Sequence, residues 1–318
     1  CRQILNQKIS EIILLDNSEY NLYKIDLEIN ELKKRFNHTC VVNSVLASAK
    51  EKDRMEHIFN KFTPHVVFHA AAYKHVNLVE KNKIEALTNN YNSTVILSNL
   101  AIKYNVENFT FISTDKAVNP SNIMGASKRL AELVIQKYSL NKFKTVFSIV
   151  RFGNVIGSSG SMIPLFQKQI QSGGPITVTD KDVSRYFMTI PEAVDLVLSA
   201  AKLATSSDIF ILDMGKPIKI LDIAKKMIAL AGKTEKKEEN QDGDIEIEII
   251  GLRPGEKLHE ELFLGDKIFK TSHPQILKVK EPLKNKVNMR HLIKEFESAI
   301  ISDDNDKIKT FYKTLSNI

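Results

Sequence analysis

The sequence predicts an α/β fold built on a doubly wound parallel sheet, with a smaller α/β region at its C-terminal side. Apolar runs of strand length alternate with helical patterns at the spacing of βαβ units. Two of these runs stop abruptly in polar residues, Asp16-Asn17-Ser18 and Ser113-Thr114-Asp115-Lys116. In open α/β sheets the C-terminal strand ends are where ligands bind. Beyond Arg151 the pattern loosens around Gly153, Gly157, Gly160, Gly173 and Gly174, which mark loops.

The 318 residues suffice for one large domain or two ordinary ones. A hydrophobic fraction of 43% and a charged fraction of 26% are those of a globular protein. Cys1 and Cys40 supply neither a disulfide framework nor a metal cluster, so no metal is expected. No apolar run approaches the ~18 residues of a membrane span, and no secretory signal is visible. The 45 Lys and Arg exceed the 38 Asp and Glu, for a net charge of +7. They are interleaved with acids and form no aromatic-bearing block. A solvated surface is therefore expected, and no nucleic-acid partner.

In chain order, Cys1 to Ile9 reads as a helix already under way, with Ile4 and Leu5 on one face. Strands are predicted at Glu11 to Leu15, closed by Asp16, and at Thr39 to Asn43. A helix follows with Met55, Ile58, Phe59 and Phe62 on one side, broken by Pro64. Val66 to His69 is a buried strand, and Lys83 to Tyr104 a long helix. Phe109 to Ile112 is the strand that delivers Ser113 to Lys116. Asn119 and Pro120 break the chain, a helix runs from Ile123 to about Leu140, and a strand from Thr145 to Arg151. Further helices are expected at Met162 to Gln171, Pro191 to Ala204 and Ile220 to Leu230. Further strands are expected at Ile209 to Asp213 and Ile245 to Ile250. Lys233 to Asp244 lacks apolar residues and reads as an exposed loop. From Asn288 the tail reads as two amphipathic helices broken at Asp303-Asp304.

A strand ending in Asp16 suits a dinucleotide site. The carboxylate accepts hydrogen bonds from ribose hydroxyls and repels a 2′-phosphate, favouring NAD over NADP. The glycine-rich phosphate loop that usually confirms such a site lies about twenty residues upstream. Here that position precedes residue 1. The expectation is a chain lacking the first strand and phosphate loop of a longer reading frame.

Several motifs then occur in one order: His69-Ala-Ala-Ala-Tyr-Lys-His-Val76, Ser113-Thr-Asp-Lys-Ala-Val-Asn-Pro120, Met124-Gly-Ala-Ser-Lys128, Arg151-Phe-Gly-Asn-Val-Ile-Gly157, Gly160-Ser-Met-Ile-Pro-Leu-Phe166, Arg185-Tyr-Phe-Met-Thr-Ile190 and Gly251-Leu-Arg-Pro-Gly-Glu-Lys257. Together they resemble the extended short-chain dehydrogenase/reductase family, in particular the UDP-N-acetylglucosamine 4,6-dehydratases of polysaccharide biosynthesis. The resemblance is dense from His65 to Pro282 and looser before it. It implies a Rossmann-like NAD-binding domain over 1–150, a mainly substrate-binding region over 151–285 with segments returning to the sheet, and a helical tail over 286–318. It places Asp16 on the adenosine ribose and Ala70, Ala71 and Tyr73 along the cofactor. Lys74 falls near the nicotinamide and Asn90 on the helix behind the catalytic strand. Ser44-Val-Leu-Ala47 departs from the family's Ser-Val-Leu-Asp, losing a carboxylate near the adenine.

The reaction implied oxidises C4 of a UDP-sugar, removes the C5 proton, expels the C6 hydroxyl and returns the hydride to C6. It needs an acceptor for the C4 hydroxyl proton, a base and an acid. Thr114 is expected to hydrogen-bond the C4 oxygen. Asp115, protonated in a poorly solvated pocket, is the expected acid, and Lys116, kept neutral, the expected base. Spacing alone also allows a strand-end turn with a surface ion pair. The family's Tyr-x-x-x-Lys pair reads Met124 and Lys128 here. Lys128 can bind the nicotinamide ribose, but methionine exchanges no proton. The resemblance is to the branch that carries Met there. It implies a parent anchored in the inner membrane by missing N-terminal helices, with this chain on the cytoplasmic face.

For the substrate, Arg185 and Arg253 are the expected diphosphate partners, because guanidinium matches phosphate bidentately. Asn154 and Ser161, the latter opening a helix, are further candidates, and Ile176 to Val178 is a candidate uracil wall. Glu256, Lys257 and His259 read as an ion-pair network. A homo-oligomer is implied by the resemblance. The alternatives are a UDP-sugar epimerase and a non-catalytic sugar-nucleotide-binding fragment.

Overall fold

Four parallel strands form the centre of the molecule. In a computed structural model describing residues 1–140, 143–158, 160–206, 208–263, 268–281 and 288–318, a six-stranded sheet runs in the order Ile268–Lys270, Ile276–Val279, Asp208–Leu212, Val146–Arg151, Asn108–Ile112, Val66–His69. The last four are mutually parallel, and the first two are antiparallel additions. Glu11–Asp16 and Val41–Leu46 pair in parallel as a separate two-stranded sheet. The expected doubly wound α/β architecture is present, with its strands divided between two sheets.

Crossover helices bury these strands. Phe109, Phe111 and Phe147 are at most 1% exposed and pack with Ile58, Phe59, Leu97 and Leu100 from the flanking helices. Each buried aromatic contributes roughly 2–3 kcal/mol of transfer free energy. The Ile123–Ser139 helix joins the same cluster through Ala131 and Ile135, and its other residues are covered by Met289–Ile301 and Asn305–Ser316, the two predicted tail helices. Leu130, Leu133, Phe296 and Leu315 meet there with no exposure. The boundary set at 285/286 lies outside the described residues.

Several expectations need correction. Cys1 to Ile9 is not a helix; only Ile4–Asn6 makes a 3₁₀ turn. The Glu19–Phe36 helix has no counterpart in the sequence reading, because its buried stripe is only Leu22 and Ile29. The Lys83 to Tyr104 helix is continuous but contains a π-helical turn at Thr88–Asn92. Lys233 to Asp244 is not wholly loop, since Glu235–Lys236 pairs with Ile245–Glu246. Asp244, accepting from Thr234 N and near Lys233, is held at about 2.

One glycine fixes the relation between strand end and following helix. A Cβ on Gly125 would collide with the Lys116 carbonyl. Asn122 caps the same helix by accepting from Gly125 N at 2.8 Å. Gly125→Ala is expected to push the Asp115–Ala117 turn away and to destabilise the fold by about 1–3 kcal/mol in urea titration.

Candidate active site

The site begins where the Asn108–Ile112 strand stops. Backbone pairing continues briefly, with Ser113 N donating to Val150 O at 2.8 Å and Asp115 N to Phe152 O at 3.1 Å. The chain then tightens into the 3₁₀ turn Asp115–Ala117. Thr114 Oγ1 donates to Asp115 Oδ1 at 2.8 Å, and Lys116 Nζ donates to the same oxygen at 3.0 Å. Lys116 also reaches Asn154 Oδ1 at 3.4 Å. Hydroxyl, carboxyl and amine are thus joined in series. Asp115 is wholly buried, and its Oδ2 has no hydrogen-bond partner among the described residues.

A fourth group escaped the sequence reading. Glu260 Oε1 lies 3.6 Å from Lys116 Nζ and 3.9 Å from Arg185 Nε. Burial pulls the Lys116 amine down, but the carboxylates of Asp115 and Glu260 outweigh it, and the net shift is upward. Lys116 is therefore an ammonium here, which corrects the expectation of a resting neutral amine. Glu260 itself is raised, by burial first, against the pull of Lys116. The only sequence signal for Glu260 was its place three residues beyond the Gly251 to Lys257 motif.

Lys128 and Met124 lie one helical turn apart and both border the cavity. Lys128 Nζ donates to Ile112 O at 2.5 Å and sits 3.8 Å from the centre of the Phe111 ring. Burial lowers this amine to about 7, so it exchanges a proton near neutrality. The cavity, about 360 Å³, is also bordered by Ala70, Tyr73, Lys74, Thr114, Lys116, Asn154 and Ser161. Ser161 heads the Met162–Gln171 helix, and its buried Oγ has no partner among the described residues. Partial burial lowers Lys74.

Other candidates lie elsewhere. The described lining residues do not include Asp16, Ala71, Asn90, Arg185 or Arg253. Asp16 ends its strand, with Oδ1 accepting from Ser18 N at 2.8 Å. Asn90 accepts from Tyr73 N at 2.7 Å and donates to Tyr73 O and Ser127 Oγ, both at 3.0 Å. It braces the Tyr73 loop from behind. Arg185 is buried, its Nη1 donating to Ser184 O at 2.7 Å and Leu258 O at 3.1 Å, its Nη2 to Glu256 at 3.1 Å. That guanidinium is committed to the protein, which corrects its assignment to a diphosphate in this conformation. Arg253 is exposed. Ile176 and Val178 are core residues, at most 1% exposed, and form no uracil wall. Glu256 and Lys257 form ion pairs with Arg185 and Glu261, whereas His259 shares a hydrogen bond with the Ser184 hydroxyl.

Behind the cavity sits a buried charge quartet. Ser113 Oγ donates to Glu132 Oε1 at 2.6 Å. Arg151 donates to both oxygens of Glu132, at 2.8 and 2.7 Å, and both of Glu281, at 2.6 and 2.9 Å. Arg129 joins the same carboxylates at 3.0 and 2.9 Å. Burial would raise Glu132, but Arg151 and Arg129 hold it at about 2. Two cations and two anions balance, and the strand end rests on them.

Comparison with known proteins agrees with this architecture. The chain is 48% identical over 304 residues to the capsular polysaccharide biosynthesis protein CapD of Staphylococcus aureus, covering 95% of this chain and 48% of CapD. It thus spans about half the length of that relative. The solved structure of Pen from Bacillus thuringiensis superposes with a TM-score of 0.76 at 33% identity, over 90% of this chain and 83% of Pen. DesIV of Streptomyces venezuelae, a dTDP-glucose 4,6-dehydratase solved with NAD bound, shares the fold at a TM-score of 0.64 and 18% identity, over 80% of this chain and 79% of DesIV. Among the described residues no helix is long and apolar enough to cross a membrane, and no cluster of three potential metal ligands is present. Residues 1–281 match the family described as polysaccharide biosynthesis protein, and with that match the chain belongs to the polysaccharide biosynthesis protein family.

Proposed function

We propose that the chain carries the catalytic centre of an NAD-dependent 4,6-dehydratase acting on UDP-N-acetylglucosamine and yielding a UDP-4-keto-6-deoxy sugar for surface polysaccharide or glycoprotein biosynthesis. The observation that carries this is the series Thr114–Asp115–Lys116 at the end of a central parallel strand, beside Lys128. The residues present suit NAD. The cavity lies beyond parallel strand ends, Ala70, Tyr73, Lys74 and Lys128 border it, and Ser161 adds an unpartnered hydroxyl at a helix start. Asp16 would hold the adenosine ribose, with Lys128 at the nicotinamide ribose. When bound, NAD supplies the hydride exchange.

The proton work falls to this chain's residues. Thr114 accepts the C4 hydroxyl proton while passing its own to Asp115 along their 2.8 Å hydrogen bond. Asp115 then carries the proton that the departing C6 oxygen needs, so no tyrosine is required at Met124. A neutral Asp115 no longer holds Lys116 as an ammonium. Its amine sheds a proton to solvent, takes the proton from C5, exchanges it with solvent and later reprotonates C5. Asn154 helps orient the amine. Arg253 is the exposed cation left for the diphosphate. The same reading makes this chain part of a longer protein anchored in the inner membrane, with this portion on the cytoplasmic face and assembled as a homo-oligomer.

UDP-glucose 4-epimerases are also among the similar proteins, and epimerisation begins with the same C4 oxidation. Incubating the protein with NAD and UDP-N-acetylglucosamine in D₂O separates the readings. A C6 methyl with deuterium at C5 is expected. A C4 epimer that keeps its C6 hydroxyl overturns dehydration, and binding without any product supports a non-catalytic module. Asp16→Ala is expected to weaken NAD binding about tenfold by calorimetry, the scale of one lost charge-assisted hydrogen-bond pair.

A further inference from the structure

The buried carboxyl of Glu260 has no role in the steps above, yet it touches the residue on which they turn. Its side chain is 4% exposed. Oε1 lies 3.6 Å from Lys116 Nζ, while Oε2 is buried without a hydrogen-bond partner among the described residues. A carboxyl with an orphaned buried oxygen costs about 1–3 kcal/mol, so its retention calls for a function. The segment that carries it is fastened to the catalytic turn. Lys257 Nζ donates to Val118 O at 2.9 Å, and Ser121 Oγ and Asn122 Nδ2 donate to Gly255 O at 2.8 and 3.0 Å. A Cβ on Gly255 would come within 2.8 Å of the Asn122 Cβ, at a backbone φ of +77°.

We propose that Glu260 is a positioning residue for Lys116: it keeps the amine in the site, and sets how readily that amine gives up its proton, while Asp115 is neutral. This rests on the dehydratase reading above. Lys116 has two anionic neighbours from different parts of the chain, Asp115 on its own turn and Glu260 on the substrate-side segment. When Asp115 takes up the C4 hydroxyl proton, one of the two is lost. With Glu260 absent the amine would have no remaining carboxylate tether and could swing from the sugar. With Glu260 present it keeps its place while its acidity rises by one neighbour's worth.

The charged groups facing this pair are few. Arg185, from the Ser184–Arg185 strand, approaches Glu260 at 3.9 Å and opposes the Lys116 charge. Glu256 partly neutralises that arginine at 3.1 Å. Lys257 acts on Glu260 at longer range. His259 is turned to Ser184 Oγ at 2.8 Å.

The test reads Lys116 directly and needs no turnover. Lys116 keeps one fifth of its side-chain surface exposed, so its competitive acylation by acetic anhydride can be followed against pH by mass spectrometry. In Glu260→Gln its apparent pKa is expected to fall by about one unit, and in Glu260→Asp to return most of the way. An unmoved Lys116 titration in a folded Glu260→Gln protein overturns the proposal. If Glu260→Gln does not fold, the reciprocal measurement serves. Lys116→Met should raise the Glu260 titration seen by carboxyl ¹³C NMR, and an unmoved Glu260 again overturns it. Kinetics then separates this idea from the reading beneath it. The acidic limb of kcat, which rises as Lys116 becomes neutral, should shift to lower pH in Glu260→Gln by the amount seen in labelling. A labelling shift without a shifted limb counts against Lys116 as the C5 base and leaves the Glu260–Lys116 coupling standing.

Discussion

Lys116→Met is expected to lower dehydration about a thousandfold, the usual scale for losing a positioned acid or base. Binding of the UDP-sugar should change little, since the residue is committed to Asp115 and Glu260. The measurement is kcat and KM alongside exchange of the C5 proton with solvent. Exchange should vanish with turnover, because the same amine removes that proton and reprotonates C5. Met124→Tyr, one turn before Lys128, should keep turnover: the proton path through Thr114 and Asp115 bypasses that position. Continued C5 exchange in Lys116→Met would instead assign the base to another group.

The second large effect concerns stability. Glu132→Ala is expected to cost about 3–5 kcal/mol, because among the described residues it leaves Arg151 and Arg129 buried with only Glu281 between them. The readout is the urea midpoint at pH 7. The pH dependence follows from sign. Glu132 is at about 2 in the folded chain against 4.5 as its reference value. A lowered carboxyl contributes stability that is fully present above 4.5 and is lost as pH falls from there through 2. Its share is roughly 3 kcal/mol. Glu132→Gln should remove that part of the acid sensitivity. Ser113 donates to Glu132, so the same substitution should also loosen the strand end that carries Thr114.

His69 adds a further effect of the same sign. Burial holds its imidazole at about 3, below the usual 6.5, with Lys128 adding to the shift. Its neutral form is the native one, so stability should decline as pH falls from 6.5 toward 3. His69→Gln should flatten that slope in a thermal-melting series.

Elements with strong local periodicity were legible as sequence. Val66–His69, Met162–Gln171 and Ile220–Leu230 have the predicted bounds, and the two tail helices break at the predicted acidic pair. The Glu19–Phe36 helix was not, because its two buried residues make too thin a stripe among polar ones. The Ile268–Lys270 and Ile276–Val279 strands were also missed: each is short, and antiparallel pairing alone defines them.

At the site the division is similar. Ser113 to Lys116 were visible because a buried strand ends at them, a feature of neighbouring residues. The charge on Lys116 was not visible. It depends on Glu260, 144 positions away, and the same amine is base or ammonium according to whether a second carboxylate stands beside it. Arg185 is the converse case. Its residue type suits a phosphate, but the packed backbone supplies two carbonyls that occupy it first. The sequence by itself determined the alternation of strands and helices and the side chains at each strand end, because both follow from local pattern. Tertiary structure alone decided which of those side chains share a cavity and what charge each bears, because burial and long-range neighbours set both.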